Sequence, residues 1–367
     1  MNRTIAIAAG GTGGHFFPAE ALAAELQQRG HKVVLFTDAR SSGETSAAFA
    51  QCARYVLPGA GIAGRGAMKA LKAVLSLAYG TLKAHAILRR VRPDALVAFG
   101  GYPSVPPVLA SRLISPRPKV VLHEQNAVLG RANRALSRFA STIALSFSNT
   151  SAIPAGVATV LTGNPVRPAI AALAGRGYFS AQERFRLLVL GGSQGARVFS
   201  TLIPEMVSRL PVSVSARMDI TQQCRAEDLP QVRQLYAELG LSAELSPFFS
   251  DIADRLNTAH LVIARAGAST IAELAALGRP SLLVPLPSAI DDHQRANAAA
   301  LAEAGGAWMM HQSTLFPADL AEFLIPLLGR PQELAPLAAA AAAFGRLDAA
   351  ARLADLVEHT IQPKDAA

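Results

Sequence analysis

The stretch IAIAAGGTGGH, residues 5–15, is an apolar run followed by two glycines, two further residues, a third glycine and a helical pattern. LLVLGGSQGA, residues 187–196, repeats this order in the second half of the chain. A buried strand that enters a helix through a glycine-rich turn is the first unit of a doubly wound α/β domain. The repeat therefore predicts two such domains in tandem.

The rest of the chain alternates short apolar runs with longer amphipathic stretches. Short buried strands separated by helices are what a parallel sheet requires. A length of 367 residues suits two domains, at roughly 100–200 residues each. The predicted strands are Thr4–Ala8, Lys32–Thr37, Ala95–Phe99, Val120–Leu122, Leu187–Leu190, Leu261–Ala264 and Ser281–Val284.

The domain boundary is predicted in residues 163–186, which contain prolines and glycines but no strand pattern. The domains are then 1–163 and 164–345. The alanine-rich stretch 334–361 predicts a helix that breaks near Gly345. We expect its last part, about 346–362, to return to the first domain.

The formal net charge of +9, from 35 Lys and Arg against 26 Asp and Glu, favours a polyanionic partner. Nucleic acid is disfavoured, because the basic residues are dispersed, only 6% of residues are aromatic and no recognition motif occurs. The two cysteines, Cys52 and Cys224, indicate neither a disulfide framework nor a CxxC pair. No run of about 18 uncharged apolar residues is evident, so we expect a cytoplasmic protein without a membrane span.

Six loops follow the predicted strands, and in an open α/β sheet such loops meet at the carboxyl edge, where ligands bind. Two such edges that face each other would form a cleft with one substrate per domain. The alternative is that each turn only needs glycine to reach a positive φ. The loops are Gly10–Gly14, Gly100–Ser104, His123–Asn126, Gly191–Gly195, Arg265–Thr270 and Pro285–Gln294.

A nicotinamide dinucleotide is one candidate ligand, because Asp38 ends the second strand, where a ribose-binding carboxylate would lie. Neither glycine loop, however, has the G-x-G-x-x-G spacing in register. The literal match at Gly59–Gly64 follows Pro58 and has no acidic residue about 20 positions later. The P-loop pattern is also absent, so dinucleotide and simple ATPase chemistry lose support.

Residues 264–307 are the most specific stretch of the second domain. Thr270 and Glu273 have the spacing of a capping box, which would tie down a helix N-terminus. The same amides could bind a diphosphate, with Glu273 accepting hydrogen bonds from a ribose diol. In the neighbouring sequence DDHQ, residues 291–294, two acids and one histidine lack a full set of metal ligands, and we favour a solvated loop.

These residues resemble a known family. The motifs GGTGGHFFPA, GGYPSVPP, HEQNAVLGRANR, GNPVR, GGSQGAR and GASTIAELAALGRP…DDHQRANA occur in order over nearly the whole chain. They are similar to those of the MurG family of bacterial peptidoglycan glycosyltransferases. The resemblance implies a GT-B fold: two Rossmann-like, doubly wound domains with an interdomain cleft and a C-terminal helix on the first domain.

The reaction implied by the resemblance is an inverting transfer of N-acetylglucosamine from UDP-N-acetylglucosamine. The acceptor would be the 4-hydroxyl of N-acetylmuramoyl-pentapeptide on undecaprenyl diphosphate, so that lipid I becomes lipid II in cell-wall synthesis. The alternative is a GT-B enzyme that transfers from a UDP-sugar to another lipid or a natural product. Swapping acceptors in an assay separates the two.

The resemblance also implies roles for particular residues. In the first domain, Thr12, Gly13, Gly14 and Asn126 would approach the donor sugar and diphosphate, and Gly100, Gly101, Tyr102 and Ser104 would form an acceptor loop. Arg167 and Ser193 would serve the diphosphate and nucleotide. Ala268, Ser269, Thr270 and Glu273 would hold the diphosphate and ribose, Gln294 the sugar hydroxyls, and Phe249 the uracil; at His293 some relatives carry glutamine.

A base must take the proton of the attacking hydroxyl, and a histidine suits this task near neutral pH. His15, beside the first glycine loop, is the candidate, although it could equally cap or position the loop; Glu124 and His123 are held in reserve. Helix N-termini and Arg167 could neutralise the leaving UDP. Since no D-x-D pair occurs, we expect neither an obligatory metal nor another cofactor.

A lipid-linked acceptor requires contact with the bilayer. In the predicted helix of residues 65–90, one arc carries Lys69, Lys72, Lys83 and Arg90, and the other side carries Leu71, Val74, Leu75, Ala78 and Leu82. This pattern fits peripheral binding to anionic lipid at the cytoplasmic face of the inner membrane. It fits equally a helix whose apolar side faces the core. Cell-wall synthesis and division proteins are possible partners.

Overall fold

A computed structural model describes residues 2–11, 13–40, 46–58, 67–192 and 195–362, with the side chains of 67–71 left out. The chain divides into two compact units, Met1–Arg167 with Arg346–Ala367, and Pro168–Gly345. The division falls four residues later than the boundary predicted at 163. The segment 163–167 stays with the first unit because His123 bonds to the carbonyl of Gly163 and Arg167 lies on the ring of Phe17.

The first unit is a parallel seven-stranded sheet of order β3-β2-β1-β4-β5-β6-β7, with helices between the strands. Chain order doubles back at β1 and β4, as in dinucleotide-binding folds. The elements are β1 Thr4–Ala8, α1 Gly13–Gln28, β2 Lys32–Thr37, α2 Ala47–Ala50, β3 Ala53–Val56, α3 Ala67–Val91, β4 Ala95–Ala98, α4 Val105–Ser111, β5 Lys119–Glu124, α5 Arg131–Leu136, β6 Thr142–Leu145 and β7 Thr159–Leu161.

The second unit repeats this plan with a parallel six-stranded sheet of order β10-β9-β8-β11-β12-β13. Its elements are α6 Pro168–Ala171, β8 Phe185–Leu190, α7 Arg197–Val207, α8 Val212–Ser215, β9 Met218–Gln223, α9 Leu229–Glu238, β10 Ala243–Ser246, α10 Ile252–Thr258, β11 Leu261–Ala264, α11 Ala268–Ala276, β12 Ser281–Leu283, α12 His293–Glu303, β13 Ala307–Met309, α13 Pro317–Gly329 and α14 Ala335–Phe344. The final helix, α15 Ala349–Ile361, belongs to the first unit.

All seven predicted strands are present, with ends that differ by two residues at most. The strands that the sequence did not reveal are β3, β6, β7, β9, β10 and β13. They are short or lie towards the sheet edges, and β9, MDITQQ, buries only alternate side chains. A half-buried strand presents a weaker apolar run than a central strand covered on both faces.

Helix α15 packs on the first unit. Leu353, Ala354 and Val357 join the core cluster that contains Ile7 and Leu22. At its C-terminal end Arg29 donates to Asp355 and Glu358, and His31 bonds to Glu358 at 2.8 Å.

By length and composition alone, the run Pro331–Ile361 could cross a membrane. The sequence was not expected to contain such a run. In the structure it is two helices, because α14 ends at Phe344 and α15 begins at Ala349, and the break near Gly345 is the one predicted. The helices have 10 and 13 residues, fewer than the roughly 20 that a span needs. The folded chain therefore uses this run as packing helices.

Candidate active site

In the first unit, the loops that follow β1, β4 and β5 meet at the carboxyl edge of the sheet. His15, in the first turn of α1, bonds through Nδ1 to Oε1 of Gln125 at 2.9 Å. A Cβ atom at Gly101, in the loop after β4, would lie 3.5 Å from His15 Nε2. The predicted base therefore lies among the three predicted loops.

The contacts of His15 continue into the core. Nε2 of Gln125 lies 2.9 Å from Nδ1 of His123, whose Nε2 lies 3.1 Å from the carbonyl oxygen of Gly163. His123 is fully buried, and desolvation lowers its pKa to about 4. A neutral imidazole without solvent access is poorly placed to act as a base, so the geometry gives His123 a supporting position.

Glu124, the other reserve base, is the centre of a hydrogen-bond cluster. Its Oε1 accepts from the backbone and side-chain nitrogens of Asn126, and its Oε2 accepts from Gly130 N and Asn133 Nδ2, at 2.8–3.1 Å. The residue is 2% exposed. This arrangement favours a role in holding the loop after β5, and it orients Asn126 through both of its nitrogens.

Asp38 is partnered from several sides. Its Oδ1 accepts from the backbone nitrogen of Gly11, and its Oδ2 accepts from the hydroxyl of Tyr102 and from Arg40. The carboxylate is 3% exposed and joins the loops after β1, β2 and β4. Burial and the hydrogen bond to Asp38 raise the pKa of Tyr102. Asp38, which suggested a ribose site in the sequence, therefore holds together the loops at this edge of the sheet.

The predicted acceptor loop is held tightly from within. Gly100 and Gly101 have φ of +83° and +67°. Ser104 is fully buried and donates to the carbonyl of Gly100 at 2.8 Å, while Tyr102 is bound to Asp38. Ser104 and Tyr102 thus shape the loop, and the backbone at Gly101 is its part nearest to His15.

Arg167 and Gly13 converge on one aromatic ring. The guanidinium of Arg167 lies 4.6 Å from the centroid of Phe17, and a Cβ atom at Gly13 would lie 2.7 Å from the same ring. Arg167, which the resemblance assigns to the diphosphate, is therefore next to the N-terminus of α1, where Gly14 also lies. Amides at a helix start and a guanidinium both favour an anion. Thr12 lies outside the described residues.

In the second unit, the turn after β8 requires glycine. A Cβ atom at Gly191 would lie 2.3 Å from the backbone nitrogen of Ala196, and Gly192 and Gly195 have positive φ. Gln223, at the end of β9, accepts from the backbone nitrogen of Gly191 at 3.1 Å. This turn leads the backbone into α7. Ser193, and the earlier literal match at Gly59–Gly64, lie outside the described residues.

The predicted capping box is wrong. Helix α11 begins at Ala268 with Gly267 as its N-cap, and no side chain caps it. Thr270 therefore lies inside the first turn, and Glu273 lies one turn further along the helix, 6% exposed. Glycine can take the N-cap position without a side-chain bond, which lets the helix start earlier than the Thr-x-x-Glu spacing suggests. Ala268, Ser269 and Thr270 form the first turn, where amides favour an anion.

Arg265 begins one of the six predicted loops, but no role was predicted for it from the sequence. It is 6% exposed, follows β11, and donates to the carbonyls of Val284 and Pro285 and to Gln312 Oε1 at 2.6–3.1 Å. Burial lowers its pKa. It therefore ties the loop after β12 to the loop that starts α11. A charged residue directly after a buried strand was the available signal in the sequence.

In the segment DDHQ, Asp291 and Asp292 form a tight turn, and His293 and Gln294 are the first residues of α12, so only the first half of the predicted loop is a loop. Asp291 and Asp292 both have positive φ, near +52°, a conformation that is unfavourable for residues with a Cβ but less so for aspartate than for most. His293 bonds through Nδ1 to the carbonyl of Ile290 at 2.7 Å, and Gln294 accepts from Leu286 N at 3.0 Å. Within the part of the chain that the structure describes, no group of three His, Cys, Asp or Glu could hold a metal ion.

Phe249 lies within the protein, whereas its neighbour Phe248 faces solvent. Phe249 is 7% exposed, and the guanidinium of Arg255 lies 4.3 Å from its ring centroid; Phe248 is 69% exposed. The uracil contact assigned to Phe249 therefore stays a prediction, and Phe248 presents the larger open surface.

Two parallel α/β units in tandem, with glycine-rich and helix-start loops at their carboxyl edges, have the architecture of the GT-B fold. Residues 5–145 match the glycosyltransferase family 28 N-terminal domain, and residues 186–353 match the family 28 C-terminal domain. The fold is also similar to the calicheamicin glycosyltransferase, with 16% identity, a TM-score of 0.66 and full coverage of both chains.

Closer relatives define the family more narrowly. A UDP-N-acetylglucosamine--N-acetylmuramyl-(pentapeptide) pyrophosphoryl-undecaprenol N-acetylglucosamine transferase of Granulibacter bethesdensis is 57% identical, over 98% of this chain and 94% of that protein. The crystal structure of Acinetobacter baumannii MurG matches with 32% identity and a TM-score of 0.76, over 97% of this chain and 99% of that chain. The chain belongs to the MurG family of glycosyltransferase family 28.

Proposed function

We propose that this protein transfers N-acetylglucosamine from UDP-N-acetylglucosamine to lipid I, N-acetylmuramoyl-pentapeptide on undecaprenyl diphosphate, and so forms lipid II. The observation that carries the proposal is the 57% identity, over almost the whole of both chains, to a relative whose name states this reaction. The helix-start amides and Arg167 support an anionic leaving group, and His15 supports a hydroxyl nucleophile.

The two units have different roles in this reaction. In the second unit, the first turn of α11 binds the diphosphate of the donor, and Glu273 binds the ribose. Gln294 meets the sugar hydroxyls with its amide nitrogen, because its amide oxygen is occupied by Leu286 N. In the first unit, the guanidinium of Arg167, 4.6 Å from the ring centroid of Phe17, and the amides at the start of α1 supply positive potential.

His15 takes the proton from the 4-hydroxyl of the acceptor as that oxygen attacks the anomeric carbon. The carbon–oxygen bond to UDP breaks on the opposite side, and the configuration at that carbon inverts. Helix N-termini and a guanidinium stabilise the leaving diphosphate, so the reaction needs no divalent cation.

The test is transfer of labelled N-acetylglucosamine from its UDP ester to a lipid I analogue by the purified protein in EDTA, with a natural-product acceptor in a parallel reaction. The proposal expects transfer to the lipid I analogue alone, a kcat that collapses in His15→Ala, and a donor KM raised by Glu273→Ala. Donor binding without transfer to lipid I would refute the acceptor. Activity lost in EDTA and restored by Mg²⁺ would refute the metal-free mechanism.

We also propose that the protein works at the surface of the inner membrane and binds it through α3. The buried residues of this helix are Ala73, Gly80, Ala84 and Leu88, and Ile87 and Val91 near its end pack partly against the same core. A Cβ atom at Gly80 would lie 2.3 Å from the carbonyl of Pro58, so this side is packed closely. The interpretation that the predicted apolar side, with Val74, Leu75 and Leu82, faces the core therefore loses support.

Those larger side chains face solvent. Val74, Leu75, Tyr79 and Leu82 are 52–65% exposed, and Tyr79 was missing from the sequence pattern. Lys72, Lys83, Arg89 and Arg90 are exposed along the same helix. Apolar side chains next to cations fit an anionic lipid surface, where the acceptor's undecaprenyl chain would be anchored. Lys69 and Leu71 belong to the predicted pattern, but their side chains are outside the described residues.

Flotation with vesicles of phosphatidylglycerol and phosphatidylethanolamine tests this surface. Leu75→Ser with Leu82→Ser should weaken binding about thirtyfold, at about 1 kcal/mol for each partly inserted leucine. Val212→Ser is the matched control, because Val212 is 82% exposed and lies in the second unit. Equal losses in the two variants, or binding that high salt does not weaken, would contradict the proposal.

A further inference from the structure

The hydrogen bonds from His15 into the core determine which of its ring nitrogens carries the proton. The chain of contacts runs from His15 through Gln125 and His123 to the carbonyl of Gly163, at 2.9, 2.9 and 3.1 Å. We call these three side chains the His15 relay. Gln125 is 2% exposed and His123 fully buried, so water does not compete for these bonds.

The bond to the carbonyl of Gly163 determines which ring nitrogen of His123 carries a hydrogen. A carbonyl oxygen only accepts, so Nε2 of His123 must donate to Gly163. Because burial keeps this imidazole neutral, with its pKa lowered to about 4, its Nδ1 is left as an acceptor.

The next step sets the orientation of the Gln125 amide. One end of this amide faces two acceptors of His123, the ring Nδ1 at 2.9 Å and the backbone carbonyl at 3.2 Å. Only the NH₂ group satisfies both, so the amide oxygen is turned to His15. Its partner, Nδ1 of His15 at 2.9 Å, must then carry a hydrogen.

We propose that Gln125, held by His123, is a positioning residue that keeps neutral His15 in the Nδ1–H form, with Nε2 as the basic nitrogen. This is the nitrogen that a Cβ atom at Gly101 would approach to 3.5 Å, at the loop assigned to the acceptor. The inference rests on the proposed function, in which Nε2 takes the hydroxyl proton. Without Gln125 the imidazole would rotate and exchange between its two neutral forms.

Backbone geometry explains why these two residues act together. His123 lies in β5, and Gln125 follows the end of that strand, two residues on, so both fall on the same side of the chain. Glu124 falls on the other side and bonds to Asn126, Gly130 and Asn133. The loop after β5 thus separates the His15 relay, which positions the imidazole, from the cluster around Glu124, which holds the loop.

The test combines a spectroscopic and a kinetic readout. Long-range ¹H–¹⁵N spectra of histidine-labelled protein, with the His15 signals assigned by a His15→Asn variant, report the neutral tautomer. In the wild type, neutral His15 should carry its hydrogen on Nδ1, and this form should persist at high pH. Gln125→Ala should show a mixture of tautomers and a kcat lower by about 10- to 100-fold, with the KM of both substrates almost unchanged.

Two further variants separate positioning from folding. Gln125→Glu keeps an acceptor oxygen for His15 and should recover the Nδ1–H form and part of the lost kcat, but its second oxygen faces two acceptors of His123 and takes up a proton, so its melting temperature should fall. Gln27→Ala is the matched control, because Gln27 also bonds within the first unit, to Ala48 O and Cys52 Sγ, away from the relay. It should leave the His15 spectrum and kcat unchanged.

A wild-type His15 with Nε2–H, or a Gln125→Ala variant with an unchanged tautomer and kcat, would overturn the proposal. If Gln125→Ala fails to fold, the wild-type spectrum alone decides. A wild type that transfers no sugar to lipid I but holds Nδ1–H would refute the proposed function and leave the tautomer assignment intact.

Discussion

Replacement of Gly101 by alanine should lower kcat, because the new methyl group would lie against the ring of His15, the proposed base. Gly101 has φ +67° and ψ 176°, a region that residues with a Cβ rarely enter. The backbone strain should cost about 2 kcal/mol, within the usual 1–3 kcal/mol for such a conformation. For a unit of this size, that corresponds to a fall in the melting temperature of about 4–8 °C.

The catalytic effect follows from the position of the new methyl group. Its carbon would lie 3.5 Å from His15 Nε2, in van der Waals contact with the ring. An acceptor hydroxyl must come within about 2.6–3.2 Å of the same nitrogen. On the side of Gly101 the two positions overlap, so we expect kcat to fall about 100-fold, the lower end of the contribution of a general base.

The assay is steady-state transfer to a lipid I analogue, with thermal melts of the same preparations. Gly156→Ala is the matched control: it lies in the first unit, has φ +77°, and a Cβ atom there meets nothing within 4 Å. It should be destabilised by about 1 kcal/mol with kcat unchanged. If Gly101→Ala loses the stability expected but keeps the kcat of the control, the hydroxyl does not approach Nε2 from this side.

Three further substitutions test side chains that hold α15 and the loops of the two units in place. Burial alone would raise the pKa of Glu358, but its hydrogen bonds with His31 and Arg29 lower it below 4.5. Its stabilising effect is therefore present above the unfolded-state pKa and is lost as the pH falls through the lower folded-state value. Hydrogen exchange of α15 should speed up in acid beyond the intrinsic pH effect, and Glu358→Gln should reduce this loss of protection, with Asp355 leaving a smaller remainder. Glu124→Gln should cost about 1–3 kcal/mol in denaturant unfolding, because an NH₂ group would face donors; loss of kcat with unchanged stability would instead indicate a base. Arg265→Lys should destabilise the second unit by about 2 kcal/mol, because an ammonium cannot reproduce the guanidinium fork; an unchanged unfolding midpoint would contradict this.

The two parallel sheets could be predicted from the sequence because their central strands are continuous apolar runs. Thr4–Ala8, Lys32–Thr37 and Leu261–Ala264 agree with the structure residue for residue, since strands covered on both faces are continuous apolar runs. The break at Gly345 was also visible, because glycine interrupts an otherwise alanine-rich helix. Edge strands such as β10 were missed because none of the four side chains of β10 is fully buried, so no apolar run marks it.

The site was predictable in location but not in detail. His15, Gly101 and Gln125 meet because the loops after β1, β4 and β5 all leave the same sheet edge, which strand order alone implies. The capping box failed because both Gly267 and Thr270 can begin a helix, and only the packed structure selects the earlier start. Arg265 bonds to carbonyls about 20 residues further on, a contact without any local pattern.

The motif HEQN shows how far side-chain chemistry can be inferred from strand periodicity. All four residues are polar, and from the sequence alone each is a candidate ligand or base. Alternation along the strand places His123 and Gln125 on one side, where they lead to His15, and Glu124 and Asn126 on the other, where they close the loop. A carboxylate with four donors and an imidazole without solvent are both satisfied before any substrate binds. His15, in α1, has one ring nitrogen bonded to Gln125 and the other close to Gly101, and this difference from His123 and Glu124 is why we propose it as the base.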